Sequence, residues 1–215
     1  MCPQPKSTAR SERNPDSTRR RILEAAFEQI HHRGYQGMRL DEVLAVTGLT
    51  KGALYHHFPN KRALGYAVVD TLVREMVETL WVRPLADAEA PLDALIRQVR
   101  DLPGLAGERV VTLGCPLNNL AQEMSPLDEG FRRRLDETFT LWHRAVAQAL
   151  TRARDAGQMR ADVDPEQAAT FIVAALEGCI GMAKNAQSLE RLAQCGAGLV
   201  GYLQSLGSQA SDGRD

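Results

Sequence analysis

The stretch that decides the fold runs from Arg19 to Leu64, RRRILEAAFEQIHHRGYQGMRLDEVLAVTGLTKGALYHHFPNKRAL. Apolar residues recur in it at intervals of three and four, with breaks at glycine and proline. The pattern predicts three short helices and the start of a longer one. A tight turn at Gly48-Leu49-Thr50 leads into a seven-residue helix, Lys51 to His57. This is how a helix-turn-helix presents its recognition helix to the major groove of DNA.

Helical periodicity and capping residues extend the prediction to the whole chain. No run alternates apolar and polar residues as a strand would, which leaves an all-α fold of nine helices. The predicted helices begin at Asp16 or Ser17, near Leu40, at Lys51, after Asn60, near Leu92, at Cys115-Pro116, at Ser125, at Asp164 and near Ser188. The region of Pro103-Gly104 and Gly107 is expected to be a loop or a broken helix.

Composition divides the chain into four parts. Residues 1–16 are predicted to be a disordered arm, residues 17–62 a basic head with the helix-turn-helix, residues 63–206 a helical body and residues 207–215 a disordered tail. Residues 1–62 hold 11 Lys and Arg against 6 Asp and Glu, and residues 63–215 hold 15 against 21. A basic head on an acidic body is typical of nucleic-acid binding through one end, although charge alone does not decide it.

Neither the polar N-terminus nor any apolar run indicates export or a membrane span. The longest apolar run, Phe171 to Ala183, has about 13 residues and contains Glu177, whereas a span needs roughly 20. The four cysteines, at positions 2, 115, 179 and 195, form neither a disulfide framework nor a metal-ligand pattern. We therefore expect a cytoplasmic protein with reduced thiols and with no membrane partner, metal or cofactor. Cys179 and Cys195 are expected to pack between helices.

Residues 19–64 resemble the DNA-binding domain of the TetR family of transcriptional regulators. The resemblance rests on Gly34 and Met38, on Leu40-Asp41-Glu42-Val43, on Gly48-Leu49-Thr50-Lys51-Gly52-Ala53-Leu54-Tyr55-His56-His57-Phe58 and on Asn60-Lys61. It implies a three-helix DNA-binding head on a larger body that binds a ligand and dimerises. The sequence departs from the family pattern at Arg39, where members commonly have a serine or threonine that caps helix 2 and touches phosphate.

Several residues around the third helix are candidates for contacts with DNA phosphates. Thr50, together with the backbone amides that follow it, and Lys61 at the start of helix 4 are placed for this role. The resemblance assigns Tyr55 and His57 to phosphates as well. Arg39 has a long enough side chain to reach another.

The third helix also carries the candidates for base contacts. Lys51 can donate to guanine O6 and N7. Gly52 allows the backbone to approach, and the Ala53 methyl group can touch a thymine methyl. His56 can contact either a base or a phosphate.

One such head reads only a few base pairs, so useful affinity needs two heads on a near-palindromic site. A twofold dimer would set the recognition helices about 34–36 Å apart or a little more. Small residues in the last two helices would let two copies approach closely, namely Gly178, Gly181, Ala193, Ala197 and Gly201. Tight packing within one chain would explain the same residues, and this alternative stays open.

The body carries a polar stripe on a helix that is otherwise apolar. Thr170, Glu177 and Lys184 are spaced by seven, so they share one side of that helix. The stripe suggests a pocket for a small-molecule effector, completed by Met76, Leu80, Phe139, Trp142 and His143. The alternative is that Glu177 pairs with an arginine such as Arg132 and that Lys184 lies at the surface.

Cys115 begins a helix, where the helix dipole is expected to lower the pKa of its thiol. In family members with a similar Gly-Cys segment, that cysteine lies close to a lysine near the end of the penultimate helix. The resemblance matches the two residues to Cys115 and Lys184, which would permit a thiol-reactive inducer. A small buried cysteine without reactivity is the alternative.

These features predict a homodimeric transcriptional regulator. We expect a repressor that binds a palindromic operator in double-stranded DNA and is released by a small molecule or a thiol-reactive inducer. An architectural DNA-binding dimer without a ligand is the alternative. The sequence contains no Ser/His/Asp, HExxH, phosphate-loop or paired-carboxylate arrangement, so an enzyme is not expected.

Overall fold

The computed structural model describes residues 15–208, and within this range the chain folds into nine helices with no strand. The predicted all-α fold is confirmed. The first three helices are α1 (Pro15–Gly37), α2 (Leu40–Thr47) and α3 (Lys51–His57). The last five are α5 (Pro91–Leu113), α6 (Pro116–Met124), α7 (Glu129–Asp155), α8 (Pro165–Ala186) and α9 (Leu189–Ser205).

The fourth helix, α4, is continuous and alternates α-helical with wider turns. Its α-helical parts are Lys61–Val68, Arg74–Val77 and Arg83–Ala86, and its π-helical parts are Val69–Val73 and Glu78–Val82. π-helical turns are rare and are frequently found at functional sites. α4 joins the first three helices to the body, where it packs against α7.

The body is a helical layer built around α8. This helix packs against α5, α7 and α9, and α9 packs in turn on α5. Of the helices formed by residues 15–208, none combines the length and the apolar character that crossing a membrane would require.

At both ends of the chain, the folded structure extends beyond the boundary predicted for the arm or the tail. Pro15 and Asp16 already belong to α1, and Gly207 pairs with Met159 in an isolated antiparallel bridge. The rest of the arm predicted over residues 1–16, and of the tail predicted over residues 207–215, lies outside the described residues.

The long helix predicted to begin at Ser125 begins instead at Glu129. Ser125 still belongs to the end of α6, because its backbone N–H donates to the carbonyl of Ala121 at 3.2 Å. Asp128 is the N-cap, and its carboxylate accepts from the backbone N–H of Phe131 at 3.0 Å. Ser125 is thus the C-cap of α6, and the side chain that accepts a free N–H at the start of α7 is that of Asp128.

Two glycines bend helices that otherwise continue. Gly34 has φ 74°, and one further turn follows it before α1 ends at Gly37. Gly107 has φ 59° inside α5, so the expected break lies there, whereas the helix continues through Pro103. Left-handed backbone favours glycine because other residues carry a Cβ that clashes.

Aromatic rings join the first helices to the body. Phe131 at the start of α7 is fully buried, with its ring centre 4.5 Å from that of Tyr35 and 5.0 Å from that of Tyr66. Gly65 of α4 lies beneath these rings. A Cβ at Gly65 would stand 2.5 Å from the Tyr35 ring and 2.8 Å from the Phe131 ring.

We predict that Gly65→Ala destabilises the fold by about 1–3 kcal/mol, because the added methyl group would displace two packed rings. Gly52→Ala is the matched control. Its nearest neighbour would be 3.9 Å away, so helix propensity should stabilise it by at most about 1 kcal/mol. Urea denaturation of the three proteins measures both changes. Equal stability of the two variants would contradict the proposed packing at Gly65.

Candidate functional site

The first candidate site is the exposed side of α3. Leu54 is the buried residue of this helix, and Phe58 directly after it is buried as well. Because only that side faces the core, the other side is turned outward. It carries Lys51, Gly52, Tyr55 and His56 as exposed residues, with Ala53 and His57 partly buried.

The turn before α3 fixes the direction of this helix. Gly48 adopts left-handed backbone with φ 64°, and its N–H donates to the carbonyl of Leu44 at 2.8 Å, which ends α2. Thr50 is the N-cap of α3, and its hydroxyl oxygen accepts from the N–H of Ala53 at 3.2 Å. The turn and cap therefore have the geometry that the sequence predicts for a helix-turn-helix.

The charged candidates on this face are held only by weak interactions. The Lys51 ammonium lies 3.2 Å from the Asp41 carboxylate, with side chains 70% and 80% exposed. An ion pair so exposed contributes less than about 1 kcal/mol, so a DNA group can replace the aspartate. Arg39 is exposed at the N-cap of α2 and makes no capping hydrogen bond, so its guanidinium has no capping role.

Lys61 is held more firmly than the sequence suggests. Its ammonium donates to the carbonyl of Gln36 at 3.0 Å and lies 5.0 Å from the ring centre of Tyr35. Burial lowers the pKa of Lys61. The residue therefore joins α4 to the end of α1, and a phosphate would have to compete for it.

The second candidate site is a cavity of about 560 Å³ among α1, α4, α5, α6, α7 and α8. The structure brings together at its wall five of the residues singled out from sequence, namely Met76, Leu80, Cys115, Trp142 and Glu177. The wall also includes residues of α1 and α5 that sequence reasoning missed, among them Arg20, Glu24, Phe27, Glu28, His31 and Arg109. Their local pattern is that of an ordinary helix surface, so only the fold identifies them.

Glu177 is the one carboxyl group buried in this wall among the described residues. It is 8% exposed, and neither of its oxygens has a hydrogen-bond partner of regular geometry. Burial raises the pKa of Glu177 to about 7, although the Cys115 thiol and the Asn118 side chain favour its charged form. The alternative pairing with Arg132 is excluded, because Arg132 binds Glu129 at 2.7 Å.

Two indole rings stack at the cavity wall. The ring centres of Trp81 and Trp142 are 4.9 Å apart, with 25° between the planes. Trp142 is buried, and its Nε1–H has no acceptor. The wall therefore combines apolar and aromatic side chains with paired charged groups and with two polar groups that lack partners. An apolar wall with a few polar groups is the usual composition of a small-molecule site.

Cys115 differs from its expected state. It is the N-cap of α6 and partly accessible at the cavity wall. Desolvation raises the pKa of its thiol well above the ordinary value, and the nearby Glu177 carboxyl group raises it further. The expectation of a dipole-lowered pKa is thus wrong, because burial outweighs the helix dipole.

Lys184 does not join Cys115 in the cavity. Its ammonium donates to the Asn119 side chain at 3.0 Å. Its chain passes beside Gly114, where a Cβ would lie 2.8 Å from the lysine Cδ. The ionisable group beside Cys115 is therefore Glu177.

Phe139 and His143 lie in a separate groove of about 380 Å³. Glu177 lines both the groove and the main cavity, and Thr170 lies only in the groove. A ring nitrogen of His143 is 3.0 Å from the Thr170 hydroxyl. The polar stripe therefore does not line a single pocket, since Thr170, Glu177 and Lys184 reach three different surroundings.

α6 is attached to α1 at both of its ends. At its beginning, a ring nitrogen of His31 lies 2.9 Å from the carbonyl of Gly114. At its end, the Glu123 carboxylate accepts from the backbone N–H groups of Tyr35 and Gln36, each at 2.8 Å. We call these contacts the α6–α1 attachment. It connects the cavity wall at Cys115 to the helix-turn-helix, and nothing in the local sequence indicates it.

The small residues of α8 and α9 face outward. Gly178, Gly181, Ala193, Ala197 and Gly201 are exposed, and a Cβ at any of these three glycines would meet nothing within 4 Å. Phe171 and Met182 on the same side of α8 are 52% and 54% exposed. Tight packing within one chain, the alternative for these residues, is therefore excluded. We call this surface the α8–α9 face.

Cys179 and Cys195 form a disulfide between α8 and α9. The two residues pack between these helices as expected, whereas the expectation that their thiols are reduced is wrong. The two helices place the cysteine Cα atoms 5.5 Å apart, which is within the range that a disulfide requires. A single cross-link between adjacent helices has no spacing pattern from which sequence could predict it.

Comparisons with known proteins agree with this geometry. Residues 22–68 match the model described as bacterial regulatory proteins of the tetR family, and residues 90–197 match a tetracyclin repressor-like C-terminal domain. The transcriptional regulator AcuR of Cereibacter sphaeroides is 31% identical, covering 76% of this chain and 74% of that protein. The transcriptional repressor DhaR of Mycobacterium sp. is 27% identical, covering 82% and 87%.

Solved structures share the fold over nearly their whole length. A regulatory protein TetR from Rhodobacter sphaeroides has a TM-score of 0.77 at 27% identity, covering 86% of this chain and 98% of that one. A TetR transcriptional regulator from Chloroflexus aurantiacus has a TM-score of 0.81 at 26% identity, covering 91% and 98%. The arrangement of nine helices is therefore that of these regulators.

We predict that Glu177→Gln makes unfolding less dependent on pH. A folded pKa of about 7 against an ordinary 4.5 means that this group contributes stability below pH 4.5, which is lost as pH rises through 7. The difference between these two pKa values corresponds to at most roughly 3 kcal/mol in the free energy of unfolding. Between pH 5 and pH 8, urea denaturation should show the free energy of unfolding changing less favourably in the native protein than in the variant. The lowered pKa of His31 acts in the opposite direction, but it does so in both proteins. Glu137→Gln, at an exposed site, should keep the native profile, and an unchanged profile for Glu177→Gln would refute the assignment.

Proposed function

Because the chain belongs to the TetR family of bacterial transcriptional regulators, we propose that it is a homodimeric repressor with a palindromic operator. A small molecule in the cavity beside Glu177 releases it from DNA. The proposal rests on one observation. The same chain contains an outward-facing α3 and a cavity whose wall includes polar groups without hydrogen-bond partners. The family consists of transcriptional regulators and not of enzymes.

In this proposal residues 17–62 form the DNA-binding domain and residues 63–206 form the domain that binds effector and dimerises. Lys51 donates to a base, Gly52 permits close approach, the Ala53 methyl group touches a base and His56 contacts base or phosphate. Phosphate contacts come from the residues flanking these, namely Arg39, Thr50, Tyr55, His57 and Lys61. Operator binding places the protein in the cytoplasm, where bacterial DNA lies.

The proposed homodimer forms through the α8–α9 face. Exposed apolar surface of this kind is unfavourable in water, and small residues allow a second copy to approach closely. The twofold arrangement would present two α3 helices to successive turns of the major groove. The disulfide between Cys179 and Cys195 would hold α8 and α9 together as one surface.

The proposed release of DNA follows from linkage. A ligand shifts the protein away from DNA only if it binds the other conformation more tightly. The cavity includes Cys115 and Pro116 at the start of α6, and Glu123 near its end holds the last turn of α1. Movement of α6 in response to a ligand would therefore tilt the head and change the distance between the two recognition helices.

A thiol-reactive inducer is the less favoured form of this proposal. The raised pKa of Cys115 keeps its thiol protonated at neutral pH, whereas thiolates are the reactive species. Non-covalent binding in the cavity needs no such reaction. An architectural dimer without a ligand gives no reason for the unpaired groups in the cavity wall.

We predict distinct effects of three head substitutions on operator affinity. Lys51→Ala should cost about 1–3 kcal/mol on the preferred site and relax the preference at one base pair. Tyr55→Ala and Lys61→Ala should weaken all sequences alike, and Lys61→Ala should also reduce the salt slope by about 1. Fluorescence anisotropy on an operator obtained by in vitro selection measures these effects at several salt concentrations.

The matched control is Arg144→Ala, which removes an exposed cation from the body and should leave affinity within twofold. If all three head variants bind like the native protein, α3 is not the DNA-binding helix. If Arg144→Ala weakens binding as strongly as Lys51→Ala and Lys61→Ala do, the effects of those two substitutions reflect net charge.

We predict that Ala197→Glu converts the dimer to a monomer and lowers operator affinity at least tenfold, because two carboxylates would be buried where copies meet. Sedimentation velocity measures the mass, and anisotropy measures the affinity. Ala161→Glu, in an exposed turn outside α8 and α9, is the control and should remain dimeric. A dimeric Ala197→Glu protein would place the interface elsewhere.

A further inference from the structure

We propose that the cavity takes an amphipathic organic cation, a quaternary or protonated amine with an aromatic or aliphatic group, and that Glu177 is its counter-ion. This inference rests on the proposed function, because it names the chemical class of the effector. Three observations carry it: the isolation of the Glu177 carboxyl group, the charge balance of the cavity wall, and the stacked indoles.

Glu177 is more than nine-tenths buried, and no cation pairs with it among residues 15–208. Its carboxyl oxygens lack regular hydrogen bonds, and its polar neighbours are the uncharged Cys115 thiol and Asn118 side chain. A carboxylate taken out of water is unfavourable unless a charge compensates for it. A ligand cation would supply the missing charge, and burial that raises the pKa of Glu177 to about 7 still leaves an ionised fraction at neutral pH to meet it.

The other charged groups of the wall do not favour an anion. Arg20 is bound by Glu24 at 2.8 Å and by Glu75 at 2.7 Å, and Arg109 is bound by Glu28 at 2.7 Å. Each guanidinium of the described wall is therefore paired. Four carboxyl groups line the cavity against two guanidinium groups, so the electrostatic potential within it favours positive charge.

His31 does not change this balance. Burial lowers the pKa of His31, so its ring is neutral near pH 7, and it donates to the carbonyl of Gly114 at 2.9 Å. An anionic ligand would thus have to displace a carboxylate from Arg20 or Arg109, and it would find no charged imidazole in the described wall.

The indole stack suits the same class of ligand. Indole faces attract cations more strongly than other aromatic side chains do, and the attraction grows when water is excluded. The stacked rings of Trp81 and Trp142 both line the cavity, together with apolar side chains such as Phe27, Leu72 and Ile180. A cation with an apolar group would therefore lie beside the carboxyl group, the indole rings and the apolar wall, and small side-chain movements would bring it into contact with the buried carboxylate. A volume of about 560 Å³ is typical of drug-sized ligands.

The test uses benzyltrialkylammonium ions with methyl to butyl chains, whose positive charge is independent of pH. Neopentylbenzene is the uncharged counterpart of the methyl compound, and 3-phenylpropanoate is the anionic one. Binding is followed by tryptophan fluorescence, since both tryptophans of the chain line the cavity. At pH 8 we expect at least one ammonium ion to bind at least tenfold more tightly than either comparison compound.

Two variants separate a counter-ion from a general charge effect. Glu177→Gln keeps the shape and should bind the cation at least tenfold more weakly. Glu137→Gln, which removes a carboxylate outside the cavity, should bind within twofold of the native protein. Equal binding by the native protein and Glu177→Gln would overturn the proposal.

The pH dependence gives a second readout. Cation affinity should fall roughly tenfold from pH 8 to pH 6, as the Glu177 carboxylate becomes protonated, and Glu177→Gln should lack this fall. The charged and titratable groups that face this region are Arg20, Glu24, Glu28, His31, Glu75, Arg109, Cys115 and His143. His143→Gln should retain the fall, because this imidazole lies in the groove and not in the cavity. A fall that disappears with His143→Gln would overturn the assignment to Glu177.

Release of operator DNA is measured on the same proteins with the same compounds. This measurement shows whether the cation assignment fails or the proposed function on which it rests. If neopentylbenzene or 3-phenylpropanoate binds more tightly than the ammonium ions and releases DNA, the cation assignment fails. The proposed function as a ligand-responsive repressor is then supported. If no ammonium ion of the series binds, the cation assignment fails as well. If the native protein does not bind selected operator DNA, the proposed function itself fails, and cation binding is then judged by fluorescence alone.

Discussion

Among the contacts that join the head to the body, one carboxylate links the head directly to the helix that begins at the cavity wall. Glu123 of α6 accepts two backbone hydrogen bonds, from Tyr35 and Gln36, at the short turn that follows the bend of α1. Free N–H groups at the start of a helical turn need acceptors, and a carboxylate is a strong one. The bend at Gly34 makes the contact possible, because a Cβ there would lie 2.7 Å from a Glu123 oxygen. The head is thereby tied to α6, whose first residues line the cavity.

The cavity wall contains two buried polar groups that lack hydrogen-bond partners of regular geometry among the described residues, the Glu177 carboxyl group and the Trp142 N–H. Buried polar groups without partners cost stability. A ligand that satisfies them gains free energy that a fully paired interior could not offer. The same groups therefore lower the stability of the free protein and can provide affinity for an effector. Their position beside α6 would allow this free energy to act on the head.

The α8–α9 face contains glycines that lower the stability of a single chain. Glycines inside helices destabilise a single chain by about 1 kcal/mol each relative to alanine. At Gly178 and Gly181 no neighbouring group of the same chain requires the absence of a side chain. The homodimer proposed above would give these glycines a role, because a second copy could approach them closely. The disulfide on the inner side of the pair limits relative movement of the two helices.

The sequence by itself determined the helical class, the helix-turn-helix with its caps at Thr50 and Asn60, and the exposed recognition side of α3. These features depend on residues that are neighbours along the chain, so periodicity, turn glycines and capping side chains are sufficient to predict them. The tertiary structure decided which polar residues share a cavity. Helical spacing placed Thr170, Glu177 and Lys184 on one side of a helix, yet the packing of five other helices around the cavity gave each of them different surroundings. Pairing between residues far apart in sequence, as between Glu123 and the end of α1 or between the two bonded cysteines, depends on how helices pack, and no local pattern encodes it.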